Sequence, residues 1–159
     1  MSAPIVLAVG YTFADLNIEA AALDTCGARI VDARDLPPDD TLWGAAQGLL
    51  VGTAIQVDAQ MIGRMPNCRG IVRYGIGYDN VDVATAREKN ITVAIVRDYC
   101  VDEVAEHALA FALSMARGLG HWERNMREGA WRGTQRPVMH RLSSLTFGVI
   151  GFGLIGRLA

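Results

Sequence analysis

Two short glycine stretches hold backbone groups able to do chemistry. Gly75, Ile76 and Gly77 close and follow the run "GIVRYG" (70–75). Gly151, Gly153 and Gly156 stand in "GVIGFGLIGRLA" (148–159). Consecutive main-chain N–H groups in a turn make a concavity that takes an anion. The second stretch has the spacing G-x-G-x-x-G. Its first glycine permits a tight turn, its second lets the backbone approach a pyrophosphate, and its third lets helix and strand pack closely. Each stretch also has a plainer reading. The first can be a turn that needs glycine for its backbone angles, and the second an ordinary strand–helix corner.

Few side chains compete with these loops as chemical groups. Tyr74 borders the first stretch, where it lines a cleft or packs half-buried with its hydroxyl bonded. Asp79, Asn80 and Asp82 read as turn and helix-cap residues, roles that Asn and Asp fill readily. His107, His121 and His140 are read as structural or surface histidines. Cys26, Cys68 and Cys100 are far apart and follow no metal-ligand spacing, so no metal site is expected. Cys100 reads as a small buried residue rather than a reactive thiol. Three cysteines, with no secretory pattern in "MSAPIVLAVG", fit a reducing cytoplasm.

Short β-branched strands alternate with helices and must position these residues. "PIVLAVG" (4–10), "ARIVDAR" (28–34), "LLVGT" (49–53), "GIVRYG" (70–75) and "ITVAIV" (91–96) read as five strands. Between them lie a helix at 15–27 with Asp15 as its N-cap, the breaker "LPPDD", a helical turn in "TLWGAAQG", and helices at 58–65 and 82–90. This alternation is the pattern of a parallel sheet covered on both faces, most often a flavodoxin-like layer. "VDEVAEHALAFALSMARGLG" (101–120) reads as one long helix, apolar over more than one face and so expected to be buried between partners. A partly helical connector follows, and "LTFGVIG" (145–151) reads as a strand running into the second glycine turn.

Composition agrees with a soluble globular chain. Of 159 residues, 51% are apolar and 20% charged, with a net charge of −2, which gives no reason to expect nucleic acid. No apolar run reaches the ~18 residues of a membrane span.

The segments "RYGIGYDNVDVATAREKNITV" (73–93), "DEVAEHALAFALSMAR" (102–117), "EGAW" (128–131) and "LTFGVIGFGLIGRLA" (145–159) occur in order. On these the chain resembles the D-isomer-specific 2-hydroxyacid dehydrogenases. It is closest to the phosphoglycerate-dehydrogenase-like branch that includes the C-terminal-binding-protein corepressors. The resemblance implies a flavodoxin-like substrate domain over 1–100, crossing helices over 101–127 and the start of a Rossmann domain over 128–159. On that mapping the chain is the N-terminal half of such an enzyme and is itself inactive. The family's catalytic Arg, Glu and His follow the glycine turn, so no catalytic residue is expected here.

The resemblance further implies that Tyr74, Gly75, Ile76 and Gly77 face the substrate carboxylate, with Ile76 also touching the nicotinamide. Gly151, Gly153, Leu154, Ile155 and Gly156 would hold the pyrophosphate of NAD or NADP. Phosphoglycerate dehydrogenases tend to place polar or basic contacts near positions 52–53, so the plain Gly52-Thr53 argues against phosphoglycerate. The implied activity is hydride transfer between the cofactor and a small 2-hydroxy or 2-oxo acid, with a homodimer as the expected assembly, possible through exchange of the crossing helix. An NAD-sensing scaffold of the corepressor kind is the alternative, and a free-standing flavin-binding module ranks last.

Overall fold

The computed structural model describes residues 3–37, 40–131 and 137–159. The chain divides into two compact units, 1–99 and 100–159.

The first unit is an α/β layer. Its strands are β1 (Ile5–Val9), β2 (Arg29–Asp32), β3 (Ala46–Val51), β4 (Gly70–Arg73) and β5 (Thr92–Ile95). They form one parallel sheet in the order β2-β1-β3-β4-β5. The helices between them are α1 (Asn17–Asp24), α2 (Thr41–Ala45), α3 (Ala59–Gly63) and α4 (Val83–Glu88). Leu7, Val9, Leu49, Val51 and Ile71 are fully buried and pack with Ile62 and Met65 in one core. Strands covered on both faces need such apolar runs rather than strict alternation.

Local chemistry sets the helix ends. The carboxylates of Asp40, Asp58 and Asp82 accept from the backbone N–H of Leu42, Met61 and Thr85, at 2.8, 2.8 and 2.9 Å. These are N-caps, so Asp82 fills the role read from its sequence. The expected cap at Asp15 is corrected. α1 begins at Asn17, its N-cap position is Leu16 without a side-chain bond, and Asp15 instead accepts from Asn17 N–H at 3.0 Å. A short Asx turn has displaced the helix start by two residues. β3 begins three residues earlier than "LLVGT", because Ala46 already pairs with Ile5. Of the breaker "LPPDD", residues 38 and 39 lie outside the described residues.

The second unit holds α5 (Val101–Arg117), α6 (Leu119–Arg127) and α7 (Leu154–Leu158). The long helix expected over 101–120 stops at Gly118, which is left-handed at φ 61° and links α5 to α6. Glycine adopts that angle without strain. Of the residues in α5 only Ala105 is buried. The strand expected over 145–151 is not formed; the chain there belongs to no ladder. A strand exists through its neighbour's hydrogen bonds, and the described residues of this unit form no strand.

One junction in the first unit rests on glycine. A Cβ at position 52 would collide with the carbonyl oxygen of Gly10, and Gly52 N–H donates to Val9 O at 2.8 Å. Gly63, in contrast, has open space around it. Gly52→Ala should therefore lower stability by about 1–3 kcal/mol in urea denaturation. Gly63→Ala should leave it unchanged or raise it by up to ~1 kcal/mol.

Candidate functional site

In the order 2-1-3-4-5 the chain reverses direction across the sheet between β1 and β3, and ligands of such sheets bind at the strands' carboxyl ends there. A cavity of about 420 Å³ lies at that end. Its wall comes from the residues just after four strands. Gly10, Tyr11, Thr12 and Phe13 follow β1, and Gly52 and Thr53 follow β3. Tyr74 and Gly75 follow β4, and Val96 and Tyr99 follow β5.

Aromatic rings dominate the wall. Tyr11 and Phe13 stack with centroids 4.5 Å apart, and Phe13 meets Tyr74 edge-on at 5.3 Å. Such offset and edge-to-face pairs suit the ring quadrupoles. The Arg34 guanidinium lies 4.2 Å from the Tyr11 ring centroid and forks onto Asp32, with Nη2–Oδ2 at 2.7 Å and Nε–Oδ1 at 3.1 Å. This bond to Arg34 pulls the Asp32 carboxyl down to about 2. Burial first, and then the Asp32 carboxylate, raise the Tyr11 hydroxyl above its ordinary value. The Tyr74 hydroxyl donates to Glu19 Oε1 at 3.0 Å, and burial followed by that bond holds it well above the usual tyrosine range.

The Gly75–Gly77 loop borders this cavity. Gly75 has φ 137°, and a Cβ there would strike the Arg73 guanidinium, which tucks under the loop with Nη1 donating to Tyr74 O at 2.8 Å. Arg73 Nε is buried without a partner. Gly75 N–H turns inward to Arg73 O at 2.9 Å. It is therefore engaged, whereas the sequence suggested three amides facing outward. The amides of Ile76 and Gly77 have no hydrogen-bond partner among the described residues. Tyr74 and Gly75 line the cavity; Ile76 and Gly77 lie beside it in sequence and are not part of its wall. Asn80 does more than turn the chain. Its Nδ2 donates to Gly52 O at 2.9 Å and Ile55 O at 2.8 Å, tying the loop after β3 to the loop after β4.

The second glycine stretch, in the other unit, is a tight turn built on itself. Gly151 has φ 92°, Gly153 precedes α7, and a Cβ at 156 would collide with Gly151 O. Leu154 is exposed, and Ile155 and Gly156 are half-buried. Two histidines have neighbours on their own helices: His107 meets Phe111 edge-on at 4.4 Å, and His121 Nε2 lies 3.0 Å from Asn125 Nδ2. Among the described residues no group of His, Cys, Asp or Glu is placed to hold a metal, and no helix is long and apolar enough to cross a membrane.

Sequence reasoning singled out Tyr74 and Gly75 but missed Tyr11, Phe13, Glu19 and Tyr99. The available signal was positional. "GYTF" directly follows the first strand, and in a sheet that begins its winding at β1 that loop opens on the switch point.

The chain matches the family of D-isomer specific 2-hydroxyacid dehydrogenases, catalytic domain, over residues 14–149, and it belongs to that family. A D-3-phosphoglycerate dehydrogenase of Mycobacterium bovis is 34% identical over 161 residues, covering 99% of this chain and 29% of that protein. The crystal structure of D-lactate dehydrogenase from Aquifex aeolicus, complexed with NAD and lactic acid, shares the fold with a TM-score of 0.84. Its identity is 24%, over 96% of this chain and 46% of that one. The NADPH-dependent glyoxylate/hydroxypyruvate reductase of Sinorhizobium meliloti, in complex with NADP and malonate, aligns with a TM-score of 0.77 at 25% identity. That match covers 99% of this chain and 49% of that one. The chain thus spans under a third of the curated relative and about half of each solved neighbour.

The Asp32–Arg34 pair sets a pH dependence. Asp32 has a folded value of about 2 against an unfolded value near ~3.9. Its contribution is therefore full above ~4 and fades as pH falls from there through about 2. Both side chains are more than a third exposed, so the effect is small. Melting temperatures measured from pH 5 to 2 should fall less steeply for Asp32→Asn than for the unaltered protein.

Proposed function

We propose that the whole protein is an oxidoreductase that moves a hydride between NAD or NADP and a small 2-hydroxy or 2-oxo acid. The observation that carries this reading is the pair of unpartnered amides at Ile76 and Gly77, next to a cavity at the sheet's switch point, in a chain of this family. These amides orient the substrate carboxylate, and Tyr74 and Gly75 contribute the adjoining wall. Residues 1–100 are the substrate domain, 101–127 the crossing helices, and 128–159 the start of the cofactor domain.

The glycine turn suits a dinucleotide. The bare Gly156 lets the helix close onto Gly151, and Gly153 leaves room for a pyrophosphate at the amides of Leu154 and Ile155. Gly151, Gly153, Leu154, Ile155 and Gly156 would hold the cofactor, whose nicotinamide supplies or accepts the hydride; Ile76 is assigned to its nicotinamide side. The family resemblance puts proton transfer on residues that follow the turn, so the 159 residues alone are expected to show no turnover. Three free cysteines agree with a cytoplasmic location.

Two measurements test the site. The full-length protein, with NADH or NADPH, should reduce at least one of a panel of 2-oxo acids; no cofactor oxidation with any of them sinks the reading. In NMR titration with pyruvate, the amide signals of Ile76 and Gly77 should move most, and that of Gly75, bonded inward, should move less.

The exposed Phe111, Leu113 and Met115 of α5 support a homodimer. Light scattering should give twice the chain mass, and Phe111→Glu should shift it towards the monomer.

A further inference from the structure

We propose that the cavity after β1, β3 and β4 takes an aromatic substituent of the 2-oxo or 2-hydroxy acid and rejects a phosphorylated one. This rests on the acid-binding reading above and names the substrate class of that same site.

The argument starts from what the wall offers. Tyr11, Phe13, Tyr74 and Tyr99 bring four rings to one cavity, with Thr12 and Thr53 as the aliphatic hydroxyls among its described lining residues. Phe13 remains 39% exposed after stacking on Tyr11 and meeting Tyr74, so ring surface is left for a ligand to cover. Covering apolar ring surface is favourable, and an incoming ring can adopt the same edge or offset contacts.

A phosphate group would find little here. It is bound well by cations and charge-assisted donors, and among the described residues no Lys, Arg or His lines the cavity. Two guanidinium groups beside lining residues are committed elsewhere. Arg34 is forked onto Asp32 beside the Tyr11 ring, and Arg73 donates to Tyr74 O from beneath the glycine loop. The Tyr74 hydroxyl points its proton at Glu19, which places a carboxylate behind that part of the wall. Moving a phosphate from water to such surroundings leaves its charge uncompensated. The preference holds although a D-3-phosphoglycerate dehydrogenase is among the chain's relatives.

The test compares kcat/KM of the full-length protein for phenylpyruvate, pyruvate and 3-phosphohydroxypyruvate with the cofactor in excess. Phenylpyruvate should exceed 3-phosphohydroxypyruvate by about a hundredfold or more. Phe13→Ala should reduce the phenylpyruvate-to-pyruvate ratio about tenfold, and Phe13→Lys should raise the relative rate on 3-phosphohydroxypyruvate. Intermolecular NOEs from phenylpyruvate, which need no variant, should appear at the Phe13 and Tyr11 ring protons. Equal or better use of 3-phosphohydroxypyruvate, or a ratio unmoved by Phe13→Ala in a variant that folds, overturns the pocket assignment and leaves the hydride-transfer reading standing. Failure on every 2-oxo acid overturns that reading, and this inference with it.

Discussion

The carbonyl oxygen of Gly10 occupies the space that a side chain at position 52 would need. Two parallel strands can approach this closely just past their carboxyl ends only if neither residue obstructs the other. Gly10 contributes a positive φ of 60°, which turns the chain out of β1, and Gly52 contributes the missing Cβ. Their closeness is held by Gly52 N–H on Val9 O and Ala54 N–H on Gly10 O. The loops after β1 and β3 both leave from this junction, and residues of both line the cavity. Widening the junction would alter the positions of Tyr11, Phe13 and Thr53 together.

The second anchor is Asn80. Its amide reaches back to two carbonyls of the loop after β3, while Val57 and Val81 form a single parallel bridge beside it. The loop after β4 is thereby fixed to the loop after β3 without help from a ligand. Arg73 completes the arrangement from below, where its guanidinium sits in the space that Gly75 leaves free. Preorganised main-chain donors are effective because they need no rearrangement when an anion arrives. The amides of Ile76 and Gly77, proposed above as the carboxylate's donors, belong to a loop already held on two sides.

Much of the layer was legible in the sequence because burial and periodicity speak for parallel strands and their helices. Leu7, Val9, Leu49, Val51 and Ile71 announced the sheet, and Asp82 announced the start of α4. Side-chain hydrogen bonds across loops were less legible. Asn80 looks like any turn asparagine until the folded chain brings residue 52 within its reach. "GYTF" carries no motif, and only the sheet order sets Phe13 against Tyr74. The apolar run 145–151 showed the opposite weakness. Periodicity reports what a segment would bury, whereas a ladder also requires a partner. Asp15 erred by a shorter distance, since an Asx turn and an N-cap draw on the same side-chain chemistry.

The residues that hold the cavity's frame are different from those that colour its surface. Gly10, Gly52, Gly75, Arg73 and Asn80 fix the backbone through close approach and hydrogen bonds to main-chain groups. Thr12, Phe13 and Thr53 are exposed, and none of their side chains anchors a loop. Substitution at those three positions would change the cavity's lining while leaving the hydrogen bonds of its frame in place. If the cavity takes the substituent proposed above, that separation would give a lineage built on this architecture a short mutational path between metabolites of different polarity.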